Sequence, residues 1–190
     1  MDIKKLDRTF VSDIYHTHMQ EAFPQAELKP LKTILMLMEL NLYEGYGLFE
    51  EGRLLAYALL VRSRTSSCTL LDYYAVCREY RDRGLGSTFL QKLRDAYQDT
   101  QGILIETEDI DRAENEEEKN IRTRRVQFYE RNGAVRTGIK ACVFTVDYRV
   151  FYLPVAGKPD DEMLFREFED IYHTLVPEKY YESNVFITMD

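Results

Sequence analysis

Hydrophobic side chains recur at helical spacing in five stretches of the chain. Phe10, Val11, Ile14, Tyr15, Met19 and Ala22 share one face over residues 8 to 22, and Pro24 closes that element. A second helix is predicted from Pro30, placed as a first-turn proline, through Leu31, Ile34, Leu35 and Met38. Leu85, Phe89, Leu90, Leu93, Ala96 and Tyr97 give a third, which Gly102 stops. A fourth covers about 121 to 131 with Val126, Phe128 and Tyr129, closed by Asn132-Gly133 as a left-handed cap. In the tail, Leu164, Phe168, Ile171 and Leu175 line the fifth.

Between these lie β-like runs. Tyr46 to Phe49 and Leu54 to Val61, joined by Glu50-Glu51-Gly52-Arg53, read as a hairpin, and Thr69 to Val76 as a further strand. Ile103 to Glu106 is short and apolar enough to be buried. Strand, glycine bend, helix and strand in that order make a crossover unit, with 69 to 76 and 103 to 107 roughly parallel. Segments 134 to 137 and 141 to 154 alternate, broken near Gly138, while the acidic run 108 to 120 lacks periodicity and is expected to be a solvated loop.

Composition narrows the classes. A chain of 190 residues, 45% hydrophobic and 31% charged, is expected to form one soluble globular domain over 1–190. Its net charge of -8 argues against a nucleic-acid binder, although a phosphorylated small ligand can be held by local basic groups. Cys68, Cys77 and Cys142 are odd in number and widely spaced, which suits neither a disulfide framework nor a zinc site and fits a reducing compartment. No apolar run is long enough for a bilayer and the N-terminus carries no signal core, so a cytoplasmic protein without a membrane partner is expected. His16 and His18, two apart on a helix, face different ways and are expected at the surface; no metal site is expected.

The candidate chemistry centres on Val76 to Ser87. Gly84 and Gly86 permit a tight bend before a helix N-terminus whose N–H groups and dipole favour an anion, and Arg78, Arg81 and Arg83 sit in or just ahead of it. A P-loop would need a lysine after Gly86, and a dinucleotide fingerprint would need a small residue where Phe89 stands. Arg81-Asp-Arg-Gly84-Leu-Gly86 instead matches [QR]-x-x-G-x-[GA], which resembles the acetyl-CoA loop of the GNAT family of N-acetyltransferases. Farther on, Arg125-Val-Gln-Phe-Tyr129-Glu-Arg-Asn-Gly133-Ala resembles that family's FYEKxGF segment.

The resemblance covers about residues 3 to 155 and leaves 156 to 190 as an extension. It implies an α+β fold, a mixed, mostly antiparallel central sheet splayed near the cofactor loop and flanked by helices, to which the periodicity of the tail adds an extra C-terminal helix. It implies acetyl-CoA as acyl donor, a primary amine of a small molecule or peptide as acceptor, and Tyr129 as the acid that protonates the departing thiolate. Backbone N–H groups from Arg83 through Gly84, Leu85 and Gly86 to Ser87 would cradle the pyrophosphate. Arg78 and Arg81 would reach the peripheral phosphate, and Tyr74, Ala75 and Val76 would pair with the pantetheine amides. The N–H of Val76 would face the oxyanion.

Glu106, Asp72 and, less strongly, Glu27 are candidate bases; each also reads as an ordinary surface or hydrogen-bonding group. One departure is Arg122, at the position where many family members have an asparagine contacting pantetheine; Asn120 is near but shifted. A non-catalytic acyl-CoA-binding regulatory module, or an interaction protein docking through its last helix, are the competing readings. The late tyrosines, Tyr148, Tyr152, Tyr172, Tyr180 and Tyr181, suit an acceptor pocket, a homodimer surface or ordinary packing alike.

Overall fold

The computed structural model describes residues 1–25, 27–157 and 159–190. It divides into two compact units, Met1–Arg62 with Leu71–Leu93, and Ser63–Leu70 with Arg94–Asp190. Helices and mostly antiparallel strands make up both, the α+β class expected.

In the first unit the strand order is β1 (Asp2–Leu6), β2 (Tyr43–Glu50), β3 (Arg53–Arg62) and β4 (Thr69–Val76), whose first two residues belong to the second unit. β1 was not anticipated. Its sequence DIKKL has few apolar positions because it is a half-exposed edge, antiparallel to β2 from Asp2↔Phe49 to Leu6↔Gly45, and lysines on an edge discourage further pairing. The β2–β3 hairpin is as read, three residues longer at its start, and turns on Glu51 and Gly52, both at positive φ (49° and 79°), as a two-residue turn of matching twist requires. β3 is buried without alternation from Ala56 to Val61, the mark of a strand covered on both faces.

The predicted first helix is α1 (Arg8–Ile14), a π-helical segment Tyr15–Met19 and a short α2 (Gln20–Ala22). Asp7 caps it by accepting from the Phe10 N–H at 2.8 Å. α3 (Leu31–Glu39) follows Pro30, which sits at the cap position rather than inside the first turn. α4 (Leu85–Ala96) buries Phe89, Leu90 and Leu93.

The second unit orders its strands β5 (Gly102–Glu108), β7 (Val146–Pro154), β6 (Val135–Val143) and β8 (Val185–Met189), all pairings antiparallel. Three expectations change here. The acidic run is not a loop throughout: Ile110–Arg112 is a 3-10 turn, and α5 (Glu116–Arg131) begins inside it. Asn115 accepts from the Glu118 N–H at 2.9 Å, and Glu116, Glu117 and Glu118 lie where the helix dipole favours negative charge, so the acids that hid the helix stabilise its start.

The segment read as one strand over 141 to 154 is two, turning at Phe144 and Thr145 with φ of 46° and 76°. Neither residue is a usual left-handed turn former, so the sequence carried no signal. The irregularity placed at Gly138 is a register shift between Arg136 and Lys140 within β6. Finally, the tail holds more than one helix: α6 (Asp161–Leu175), α7 (Glu178–Asn184) and β8, which pairs with β6 from Val185↔Val143 to Met189↔Ile139. No helix among the described residues is long and apolar enough to cross a membrane.

Candidate active site

In the first unit, β4 runs into a 3-10 turn at Arg78–Tyr80 and then the glycine bend. Cys77 keeps the entry to this turn on the sheet by donating its N–H to Leu55 O at 2.9 Å. Asp82 and Gly84 both take positive φ, 60° and 73°, and a Cβ built on Gly84 meets nothing within 4 Å. Glycine is therefore needed at 84 for backbone conformation, and the space before it is open. The first α-type bond of α4 is Thr88 N–H to Gly84 O at 3.3 Å, so the N–H groups of Leu85, Gly86 and Ser87 have no intrahelical acceptor.

Tyr74 donates its hydroxyl to Gly86 O and stacks on Phe89, ring centroids 5.5 Å apart, which fixes the start of α4 against β4. The arginines divide. Arg81 turns back, Nε to Val76 O at 3.3 Å; Arg83 lies over the Tyr80 ring at 5.7 Å; Arg78 pairs with Glu21 at 2.6 Å. That last pair is exposed, 76% and 49%, and so weak enough to exchange for a phosphate. A cleft of about 200 Å³ beside the loop is lined by Arg53, Tyr80, Arg83, Glu50 and Glu51 among others.

Asp72, one of the candidate bases, is held by two partners of its own unit. Lys29 Nζ reaches both carboxylate oxygens, at 2.8 and 2.9 Å, and Tyr43 donates its hydroxyl to Oδ2. Burial and the adjacent Asp72 carboxylate push the Tyr43 phenol well above its ordinary pKa. Next to it, Tyr73 donates to Glu27 O at 2.7 Å and accepts the Lys29 N–H at 2.8 Å, so the residues 27 to 29 are fastened to β4 at three points.

In the second unit, Tyr129 stands in the last turn of α5. A Schellman cap follows it: Ala134 N–H to Tyr129 O and Gly133 N–H to Glu130 O, both 3.0 Å, with Gly133 at φ 91°. Burial drives the Tyr129 phenol up to about 12, against a small opposing influence of Arg125. Glu106, half-buried on β5, accepts from the Tyr172 hydroxyl at 2.7 Å. Arg122 bridges α5 to the end of β5, reaching Asp109 O at 2.7 Å, Glu118 at 3.4 Å and Glu108 at 3.6 Å, and Arg125 also pairs with Glu108. The Arg122 Nε is one of two buried side-chain polar atoms without a hydrogen-bond partner among the described residues, Tyr57 Oη being the other.

The sequence model of the acetyltransferase (GNAT) family matches residues 8–134. The chain belongs to the GNAT acetyltransferase family. No curated protein sequence matches it. Among solved structures, a protein from Bacteroides thetaiotaomicron assigned to the GNAT family superposes with a TM-score of 0.69 at 17% identity, covering 95% of this chain and 98% of that one. The ribosomal-protein-S18-alanine N-acetyltransferase of Escherichia coli gives 0.59 at 21% identity, covering 84% and 97%. The Vibrio cholerae spermidine N-acetyltransferase, solved with CoA and spermine, gives 0.61 at 11% identity, covering 82% and 95%. At these identities the likeness establishes the GNAT fold.

Both motifs fall inside the matched region of the GNAT family, and α6, α7 and β8 lie beyond it. Three residues with a bearing on the candidate bases, Lys29, Tyr43 and Tyr172, carried no sequence signal that linked them to those bases, although Tyr172 stood among the late tyrosines. Each meets its carboxylate across 29 or more positions of chain, a pairing that spacing does not encode. Tyr172 lies at position i+4 from Phe168 on the apolar face of α6, so it reads there as ordinary core.

Proposed function

We propose that this GNAT protein transfers the acetyl group of acetyl-CoA to a primary amine of a small molecule or peptide. One observation carries the reading. Within a matched acetyltransferase sequence, the bend at Asp82 to Gly84 opens onto free space and onto three helix N–H groups without intrahelical acceptors. An anionic pyrophosphate fits that cradle, because fixed N–H dipoles bind it without a net positive protein. Arg78 and Arg81 serve the peripheral phosphate, Arg83 and Ser87 complete the cradle, and the backbone of Tyr74 to Val76 pairs with the pantetheine amides.

Acetyl-CoA supplies the activated thioester. Glu106 takes a proton from the ammonium of the acceptor, directly or through one water, leaving an amine lone pair to attack the carbonyl carbon. The Val76 N–H stabilises the charge that develops on the carbonyl oxygen as the C–N bond forms. Tyr129, kept protonated by burial, gives its proton to the sulfur as the C–S bond breaks, and the second proton shed by the newly acylated nitrogen returns the phenolate to the phenol, directly or through water. The acceptor is an amine by this chemistry; polyamines and peptide N-termini are the classes to try first.

Calorimetry with acetyl-CoA and thiol release over a panel of primary amines test the reading. Sub-millimolar binding with amine-dependent thiol release is expected; absence of binding overturns it, and tight binding without thiol release under any amine indicates a non-catalytic acyl-CoA-binding module. Tyr129→Phe is expected to lower turnover by roughly 10-fold to 100-fold while acetyl-CoA affinity stays within about 2-fold.

A further inference from the structure

Among the described residues, α6 is held in the second unit by polar contacts on one side and apolar ones on the other. Asp160 caps its start, accepting from Met163 N–H at 2.8 Å, and Leu164, Phe168, Ile171 and Leu175 are buried. Glu167 accepts from the Ser67 hydroxyl at 2.7 Å and the Cys68 N–H at 3.1 Å, and from Ser66. Asp170, three residues on, accepts from Thr65 at 2.7 Å and from Ser63. Two carboxylates one turn apart thus tie the helix to the hydroxyl-rich segment 63 to 68 and fix both its rotation and its height.

That fixed helix carries Tyr172. Its ring is 5% exposed, meets Phe168 edge to face at 4.9 Å, and its hydroxyl sits 2.7 Å from Glu106 Oε1. A hydroxyl donated from a buried ring restricts the rotation of the carboxylate it meets.

We propose that the segment beyond the matched acetyltransferase region completes the catalytic machinery: Tyr172 of α6 is a positioning residue that holds the Glu106 carboxylate in the orientation from which it accepts the proton of the amine. This rests on the reading of Glu106 as the base. It makes the C-terminal segment a condition of efficient turnover and not an appendage, since Tyr172 acts only while Glu167 and Asp170 keep α6 in place. A hydroxyl that acts through the Glu106 carboxylate contributes through kcat.

The test compares Tyr172→Phe, Glu106→Gln and the double variant in the full chain, with acetyl-CoA and the best amine of the panel, alongside urea unfolding without ligand. Tyr172→Phe is expected to lower kcat about 10-fold with the KM for acetyl-CoA within about 2-fold, and to add nothing in the Glu106→Gln background. The urea midpoints should be non-additive in the same sense. Unchanged kcat in Tyr172→Phe with an impaired Glu106→Gln overturns the positioning role alone. An equal loss from Tyr172→Phe in both backgrounds does the same. Full turnover in Glu106→Gln overturns the base assignment, and the positioning role falls with it, while acetyl-CoA binding would stand.

Discussion

Two carboxylates on two strands are candidates for the base, and their surroundings differ. Asp72 on β4 has both oxygens engaged by the Lys29 ammonium and one of them also by the Tyr43 phenol. The Glu106 contact to Tyr172 reaches one oxygen, Oε1, and brings no charge. The Asp72–Lys29 ion pair is largely buried, with side-chain exposures of 9% for Asp72 and 28% for Lys29. A hydrogen bond from a neutral phenol survives a change in the proton load of its acceptor more readily than an ion pair does. The same functional group thus stands in two settings: the Asp72 carboxylate faces an ammonium and a phenol, and the Glu106 carboxylate, the base in the function proposed above, faces the Tyr172 phenol.

Removing each charge without changing shape tells the two carboxylates apart. Glu106→Gln is expected to cost roughly 100-fold to 1,000-fold in kcat, the range of a general base, with acetyl-CoA binding kept. Asp72→Asn should do the reverse, holding kcat within about 3-fold while lowering stability by roughly 2 kcal/mol, less than for a fully buried pair because Lys29 keeps some water. Urea unfolding and steady-state kinetics on the same two proteins decide it. A collapse of turnover in Asp72→Asn with an intact midpoint would exchange the two roles.

How much of this could be read from the chain follows the range of the interactions. The glycine bend, α4 and the Asn132-Gly133 cap are local, encoded within a few residues by special φ angles and helix ends, and all three stand where the sequence places them. β1, β8 and the Phe144-Thr145 turn were not, because edge strands need little apolar patterning and the turn uses residues that rarely adopt left-handed φ. Arg122 stood out as a departure, yet only coordinates showed it spent on Asp109, Glu118 and Glu108 at the junction of α5 and β5. The candidate site follows suit: its motifs are contiguous, whereas the partners that sort Asp72 from Glu106 arrive from distant elements.

The mildest test of the Asp72 setting is its phenol. Tyr43→Phe removes one of two partners of Asp72 but leaves the Lys29 pair, so no charge is orphaned and the expected cost near neutral pH is only about 1 kcal/mol. Its pH dependence is more telling. Burial first, and then the Asp72 carboxylate, raise the Tyr43 phenol well above 10.0 in the folded protein. An unfolded tyrosine ionises near its ordinary value of about 10, so Tyr43 favours the folded state fully below that pH and progressively less as pH rises through it. Phenylalanine has no proton to lose. The stability difference between the two proteins should therefore narrow as pH climbs past about 10, while any loss of the Lys29 charge is common to both and cancels. Denaturant unfolding of the pair across the alkaline range measures it; a difference that stays constant with pH would mean the Tyr43 phenol is not held protonated against Asp72, and Asp72 would lose its second partner.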